Sequence, residues 1–182
     1  MDPGQHVVLV DADDHELGTM EKLEAHRRGL LHRAFSVFLF DGRGHMLLQR
    51  RAAAKYHSAG LWSNACCSHP SPGMSTLVAA RHGLMRELGI ATDLTSRFSF
   101  TYKADVGGGL TEHELDHVFF GRWDGPLEPN PAEVMDTRWV RADDLEQELA
   151  AFPDRFTPWL RLCWPQVHLR WPTFPGHAVN EC

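Results

Sequence analysis

The chain has 182 residues, 43% of them apolar, and a formal charge of −6 at neutral pH. That length supports one domain with a sizeable core and is short for two. No apolar run reaches the roughly eighteen residues of a membrane-spanning helix, and the acidic balance argues against a broad basic surface for nucleic acid.

The amino end, Met1-Asp2-Pro3-Gly4-Gln5-His6, lacks the basic and apolar blocks of a secretion signal, so a cytoplasmic protein is expected. Residues 6–10 read as a strand, 11–15 as a polar turn, and 20–26 as a helical turn or a loop. Residues 34–40 are rich in β-branched and aromatic side chains and stop at Asp41-Gly42. A second run at 46–49 predicts a hairpin with the first. Residues 50–60, basic and rich in small residues, read as a loop. After Pro70 and Pro72, residues 74–88 carry apolar side chains at helical spacing, and Gly89 stands where a helix-ending glycine belongs.

Residues 98–103 alternate as a strand, Gly107-Gly108-Gly109 turns the chain, and 112–123 form the returning strand. A further strand is predicted at 134–141, a charged helix at 142–151, and a closing helix at 157–169 interrupted by Pro165. One domain over residues 1–169 is expected, with 170–182 as a mobile tail. Strands on both sides of a central helix, with helices later, predict an α/β sandwich or an α+β domain.

Four groups of residues carry chemistry. Cys67-Ser68-His69 lies in an extended segment, where residues two apart share a face. Glu112-His113-Glu114 puts two carboxylates on one face of a strand, which repel unless a cation or a proton sits between them. His26 and His32 flank the entry to the 34–40 strand. Three imidazoles (His26, His32, His69) with Glu112 and Glu114 would make a five-ligand nitrogen and oxygen set. Such a set favours an octahedral divalent ion over a closed tetrahedral zinc site. Lys22, Arg50, Arg51 and Lys55 form a basic group suited to a diphosphate. Taken singly, each group also reads as ordinary structure: a buried thiol, a solvated strand edge, a basic turn. The cysteines Cys66, Cys67, Cys163 and Cys182 do not have the spacing of a disulfide framework, and reduced thiols are expected.

In combination these residues resemble type I isopentenyl-diphosphate isomerase over residues 7–160. The resemblance is carried first by Gly18-Thr19-Met20-Glu21-Lys22 with His26 and His32, and by Gln49-Arg50-Arg51 with Lys55. It continues in Gly60-Leu61-Trp62-Ser63-Asn64, Cys67-Ser68-His69-Pro70 and Arg86-Glu87-Leu88-Gly89. Tyr102, Glu112-x-Glu114 and Phe156-Thr157-Pro158-Trp159 complete it.

The resemblance implies a Nudix-like α/β/α sandwich with a mixed sheet, and interconversion of isopentenyl and dimethylallyl diphosphate. By position it makes Cys67 and Glu114 the proton-transfer pair, with Tyr102 as helper. It makes His26, His32, His69, Glu112 and Glu114 the ligands of a site metal (Mn²⁺, Zn²⁺ or Mg²⁺), and Glu87 the ligand of a Mg²⁺ that arrives with the diphosphate. Lys22, Arg51, Lys55 and Ser68 become diphosphate contacts, and Trp159 the lid over the hydrocarbon. A small allylic or homoallylic diphosphate is the only partner implied, and a monomer or weak homodimer is expected.

Three departures from the family pattern stand out. The His26–His32 gap is one residue shorter than in bacterial members. Gly83 replaces a basic residue common there, which predicts one lost diphosphate contact beside Arg81 and His82. Cys66 sits next to Cys67 without an assigned role. The alternative reading is a Nudix-type pyrophosphohydrolase. That chemistry uses paired acidic residues on the central helix to hold Mg²⁺, whereas Glu87 is the only carboxylate of residues 81–89.

Overall fold

The computed structural model describes residues 6–172, which open with two antiparallel strands, β1 (His6–Val10) and β2 (Glu16–Glu21). The Glu21 carboxylate accepts the backbone N–H groups of Leu23 and Glu24 at 3.0 and 2.8 Å and so starts α1 (Lys22–Arg28). It thereby satisfies two of the donors that a helix start leaves unpaired. Gly29, at φ 58°, ends the helix in the left-handed conformation that glycine adopts without steric cost. Residues 20–26 are therefore the end of one strand and the start of a helix.

β3 (His32–Phe40), β4 (Met46–Arg51), β5 (Trp62–Asn64) and β6 (Cys66–Ser68) come next. The helix α2 (Thr76–Leu88), the long hairpin β7 (Leu94–Gly107) and β8 (Leu110–Arg122), and β9 (Val134–Val140) follow. The chain closes with α3 (Ala142–Ala151), a 3₁₀ turn at Pro153–Arg155 and α4 (Pro158–Leu169). Two expectations change here. The strand that begins at residue 46 continues to Arg51, and the loop starts only after it. The hairpin predicted between residues 34–40 and 46–49 is reduced to one pair, Phe40 with Met46. β6 occupies the adjoining edge of β3 at residues 35–37, so β4 turns away and pairs with β5 and β9.

β3 is the axis of a nine-stranded mixed sheet and runs parallel to β8 from His32↔Glu114 to Phe40↔Arg122. Its side chains alternate between two cores, as strand geometry requires. Phe35, Val37 and Leu39 pack with Ala79, Ala80, Leu84 and Leu88 of α2. Phe38 and Phe40 pack with Leu145 of α3 and with Leu160, Trp164 and Val167 of α4 on the other face. The result is the expected α/β/α sandwich.

Pro165 lies inside α4 without ending it. A proline in a helix interior costs about 3 kcal/mol. Burial of Trp159, Leu160, Trp164 and Val167, at roughly 1.5–3 kcal/mol for each large side chain, outweighs that cost. Trp171, expected in a mobile tail, packs its ring 4.8 Å from Phe40 and donates from Nε1 to the Gly44 carbonyl at 3.1 Å. Residues 173–182, the rest of that tail, lie outside the described residues, as do residues 1–5.

Gly83 and Cys66 explain each other. A Cβ at position 83 would stand 2.8 Å from Cys66 Sγ and 3.2 Å from Phe35 Cζ. Gly83 therefore faces the core, and its lack of a side chain lets α2 press against β6. Gly83→Ala is expected to cost about 1–3 kcal/mol through overpacking. The melting temperature should fall by several degrees while KM stays unchanged. An unchanged melting temperature would contradict this account of the packing.

Candidate active site

The start of β3, the end of β6 and the start of β8 meet beside α1, and polar side chains gather there inside the protein. His26 projects from α1 and His32 opens β3, and both are fully buried. His69 follows β6, and Glu112 and Glu114 lie two apart on β8 and are also buried. The Nε2 atoms of His26 and His69 each stand 3.2 Å from His32 Nε2, and His69 Nε2 is 2.7 Å from Glu114 Oε1. One ligand atom from each of the five residues lies within 4.8 Å of all the others.

The donor set fits a divalent ion. Facing imidazole nitrogens can share at most one proton per pair, and a single cation among the three would satisfy them together. Nδ1 of His32 stands 2.8 Å from the Leu30 carbonyl, which fixes a proton there and turns Nε2 to the cluster. Glu112 Oε2 is buried with no hydrogen-bond partner among the described residues, and it lies 3.5 Å from His26 Nε2. Three nitrogens and two carboxylates are a mixed set suited to first-row divalent ions. The shortened His26–His32 spacing has not displaced His26 from the cluster.

The electrostatics divide the cluster: burial works downward on His32, but its hydrogen bond to Glu114 and the charge of that carboxylate prevail and raise it, whereas the other two imidazoles shift down. Burial lowers His26 to about 3, against the raising influence of Glu112, so its ring is neutral near pH 7. Burial also pushes His69 down. For Glu114, burial works upward, but hydrogen bonding with Glu112, His32 and Tyr102 prevails and brings the carboxyl down to about 2. The Tyr102 hydroxyl donates to Glu114 Oε2 at 2.6 Å.

Three of the five, His69, Glu112 and Glu114, line a cavity of ≈ 310 Å³, and His26 and His32 lie behind them. Cys67 lines the same cavity as Glu114, as do Lys22, Arg51, Lys55, Ser68, Glu87 and Trp159. Strand alternation separates the two cysteines: Cys66 turns into the α2 core and Cys67 toward the cavity. Burial, with Glu87 and Glu114 adding to it against Arg51, pushes the Cys67 thiol up to about 12, so it is protonated near neutral pH.

Trp159 is set in place from below. Its indole Nε1 donates to Ser63 Oγ at 2.9 Å, Thr157 Oγ1 donates to the same oxygen at 3.2 Å, and Ser63 Oγ donates to Asn64 Oδ1 at 3.0 Å. The Arg51 guanidinium lies 5.1 Å from the Trp159 ring centre. Lys55 pairs with Glu133, and Glu87 accepts from Gln49 Nε2 at 3.0 Å and from Arg86 Nη2 at 3.0 Å.

Several cavity residues were missed in the sequence: Tyr56, His57, Arg86 and Glu133. Tyr56 and His57 follow Lys55 directly, but their loop was read for its cations alone. Arg86, one helical turn from Gly83, is the basic side chain that α2 turns toward the cavity; Arg81 and His82 are exposed and do not line it. Arg50, named with the basic group, bonds from Nε to the Gly60 carbonyl at 2.9 Å and is likewise outside the lining. A wider open groove of ≈ 820 Å³, with Trp123 and Trp139 in its wall, lies beyond the far end of β3 and has none of these groups.

Comparison with known proteins agrees with the fold. Residues 30–160 match the NUDIX domain family. Isopentenyl-diphosphate Delta-isomerase 2 of Aromatoleum aromaticum is 48% identical over 161 residues, covering 88% of this chain and 85% of the relative. Isopentenyl-diphosphate Delta-isomerase of Pectobacterium atrosepticum is 46% identical over 172 residues, 94% of this chain and 96% of that one. The crystal structure of DR0079 from Deinococcus radiodurans superposes with a TM-score of 0.76 at 19% identity, over 88% of this chain and 98% of that one. A MutT protein from Methanosarcina mazei Go1 gives 0.63 at 15% identity, over 77% and 94%, and these two likenesses speak for the fold alone. On its Nudix domain and on relatives matched across most of both chains, this chain belongs to the isopentenyl-diphosphate Delta-isomerase family.

Proposed function

We propose that this chain interconverts isopentenyl and dimethylallyl diphosphate, with Cys67 and Glu114 as the two proton-transfer groups. The observation that carries the proposal is one cavity lined by that thiol, that carboxyl, an indole and four cationic side chains. The homoallylic isomer gains a proton at its terminal methylene, C4, which leaves a tertiary cation at C3. Loss of a proton from C2 then forms the internal double bond. One of the two groups gives the proton and the other takes one, and in the reverse direction their roles exchange.

Each neighbour has a distinct task. Tyr102 holds Glu114 through its hydroxyl and offers a route for the proton. Lys22, Arg51, Lys55 and Ser68 bind the diphosphate, remote from the reacting carbons, so its binding energy orients the alkene. His26, His32, His69, Glu112 and Glu114 would hold the site metal (Mn²⁺, Zn²⁺ or Mg²⁺), and Glu87 would take a Mg²⁺ carried in with the diphosphate. A bound cation at the five-residue site supplies positive charge that fixes Glu114 and sets its proton affinity. The buried Trp159 indole is the large apolar surface in an otherwise mostly polar lining, and it would shield a tertiary cation from the water that captures it. No helix among the described residues is long and apolar enough to cross a membrane, in keeping with a cytoplasmic enzyme acting on a small diphosphate.

Trp159 stabilises the passing cation through its ring face, an effect worth about 2 kcal/mol in a desolvated site. Trp159→Leu is therefore expected to lower kcat about 30-fold with little change in KM. A wild-type kcat would remove the ring from the mechanism.

The activity itself is tested with purified protein, Mg²⁺ and isopentenyl diphosphate. Accumulation of the acid-labile allylic isomer, without phosphate release from nucleoside diphosphates, is the expected result. Rapid hydrolysis of nucleoside diphosphates with no isomer formed would favour the pyrophosphohydrolase. α2 speaks against that outcome: Glu87 is its single carboxylate, a poor basis for a multi-metal hydrolytic site.

A further inference from the structure

Two adjacent residues outside the ligand cluster touch two of its members. Tyr56 and His57 lie in the connection between β4 and β5, directly after Lys55. Tyr56 Oη is 3.0 Å from His26 Nδ1, and His57 Nε2 is 2.9 Å from Glu112 Oε1. A cation held by Nε2 of His26 would put the ring proton on Nδ1, which would then donate to the Tyr56 oxygen. His57 divides the Glu112 carboxylate: it engages one oxygen, and the other stays unpartnered among the described residues, facing His26.

His57 is buried and Tyr56 half exposed, and both make ring contacts. The Tyr56 and His57 rings meet edge to face at 4.4 Å, and His57 meets the Trp159 ring edge-on at 5.9 Å. Tyr56 stacks on His26 at 6.1 Å, and the Lys22 ammonium lies 5.3 Å from the Tyr56 ring centre. Arg51 Nη2 donates to the His57 carbonyl at 3.3 Å, and the following Ser58 is held at φ 50°, a conformation rare for residues other than glycine.

We infer that Tyr56 and His57 are positioning residues, which orient His26 and Glu112 for the divalent ion. This rests on the metal reading proposed above. The reason is geometric. A ligating imidazole or carboxylate is oriented by what its other polar atom bonds, and loss of such a partner costs about 10- to 100-fold in metal affinity. Here one dipeptide supplies that partner to two ligands from different elements, α1 and β8. Aromatic packing alone would not need His57 to direct Nε2 at a carboxylate oxygen.

The test uses full-length, metal-stripped protein titrated with Mn²⁺, with the free ion followed by electron paramagnetic resonance. His57→Leu is expected to weaken Mn²⁺ binding about 10- to 100-fold, and Tyr56→Phe about 10-fold. His57→Gln, whose amide N–H can reach the same oxygen, should recover to within about threefold of wild type. The variants' isomerase activity should return as Mn²⁺ is raised above the weakened Kd, which a group acting on substrate would not allow. Unchanged Mn²⁺ affinity in His57→Leu would overturn the inference, and so would His57→Gln binding as weakly as His57→Leu. A wild-type protein that takes up neither Mn²⁺ nor Zn²⁺ would instead overturn the metal reading, and this inference with it.

Discussion

Glu114→Gln is expected to lower turnover of isopentenyl diphosphate by about 10³-fold or more while leaving the fold intact. The substitution keeps the shape of the side chain and removes its charge. Two tasks are lost together, because one carboxyl faces both halves of the site. Oε1 is 2.7 Å from His69 Nε2, and Oε2 accepts from Tyr102 at 2.6 Å. General acid–base participation alone contributes about 10² to 10⁴. Weakened metal binding adds to that, since a buried amide N–H now points at a ligand nitrogen or at the Tyr102 hydroxyl. Elemental analysis should show less than one bound ion per chain, with the melting temperature of the metal-free protein close to wild type. Turnover within tenfold of wild type would remove Glu114 from the proton-transfer pair.

Cys67→Ala has the second large expected effect, a loss of about 10² to 10⁴ in kcat with metal content unchanged. Metal and turnover separate in this variant because the thiol is not one of the five clustered ligands. Cys66→Ala is the matched control. Its side chain is buried between α2 and β3, against Gly83, so the variant should lose about 1 kcal/mol of stability and keep its turnover. The opposite pattern, an inactive Cys66→Ala beside an active Cys67→Ala, would reverse the assignment.

The two cysteines also mark what was legible in the sequence. Alternation along an extended segment was enough to put Cys67 and His69 on one face, and Glu112 and Glu114 on another. Local rules of that kind worked wherever burial follows directly from strand period or helix spacing. The first strand, the end of α2 at Gly89 and the glycine turn between β7 and β8 were all readable on those terms.

Other features are set by distant parts of the chain. The pairing of β3 depends on β6 and β8, residues far along the sequence, so a hairpin drawn from neighbouring runs overstated the contact between β3 and β4. Pro165 reads as a helix breaker until the packing of α4 on the sheet is seen to outweigh it. The packing role of Gly83 was hidden because its partner, Cys66, is seventeen positions away. The 50–60 segment shows the same limit. Its cations were visible, whereas the partners of Tyr56 and His57 come from α1 and β8, and no spacing rule joins those elements.

The most direct test of the account is isomerisation of isopentenyl diphosphate in deuterium oxide, with the product examined by nuclear magnetic resonance. Proton exchange through a thiol and a carboxyl predicts solvent deuterium in a methyl group of dimethylallyl diphosphate and loss of a hydrogen from C2. A product formed at full rate with no solvent deuterium would mean that hydrogen passes directly between carbons, and would contradict the account.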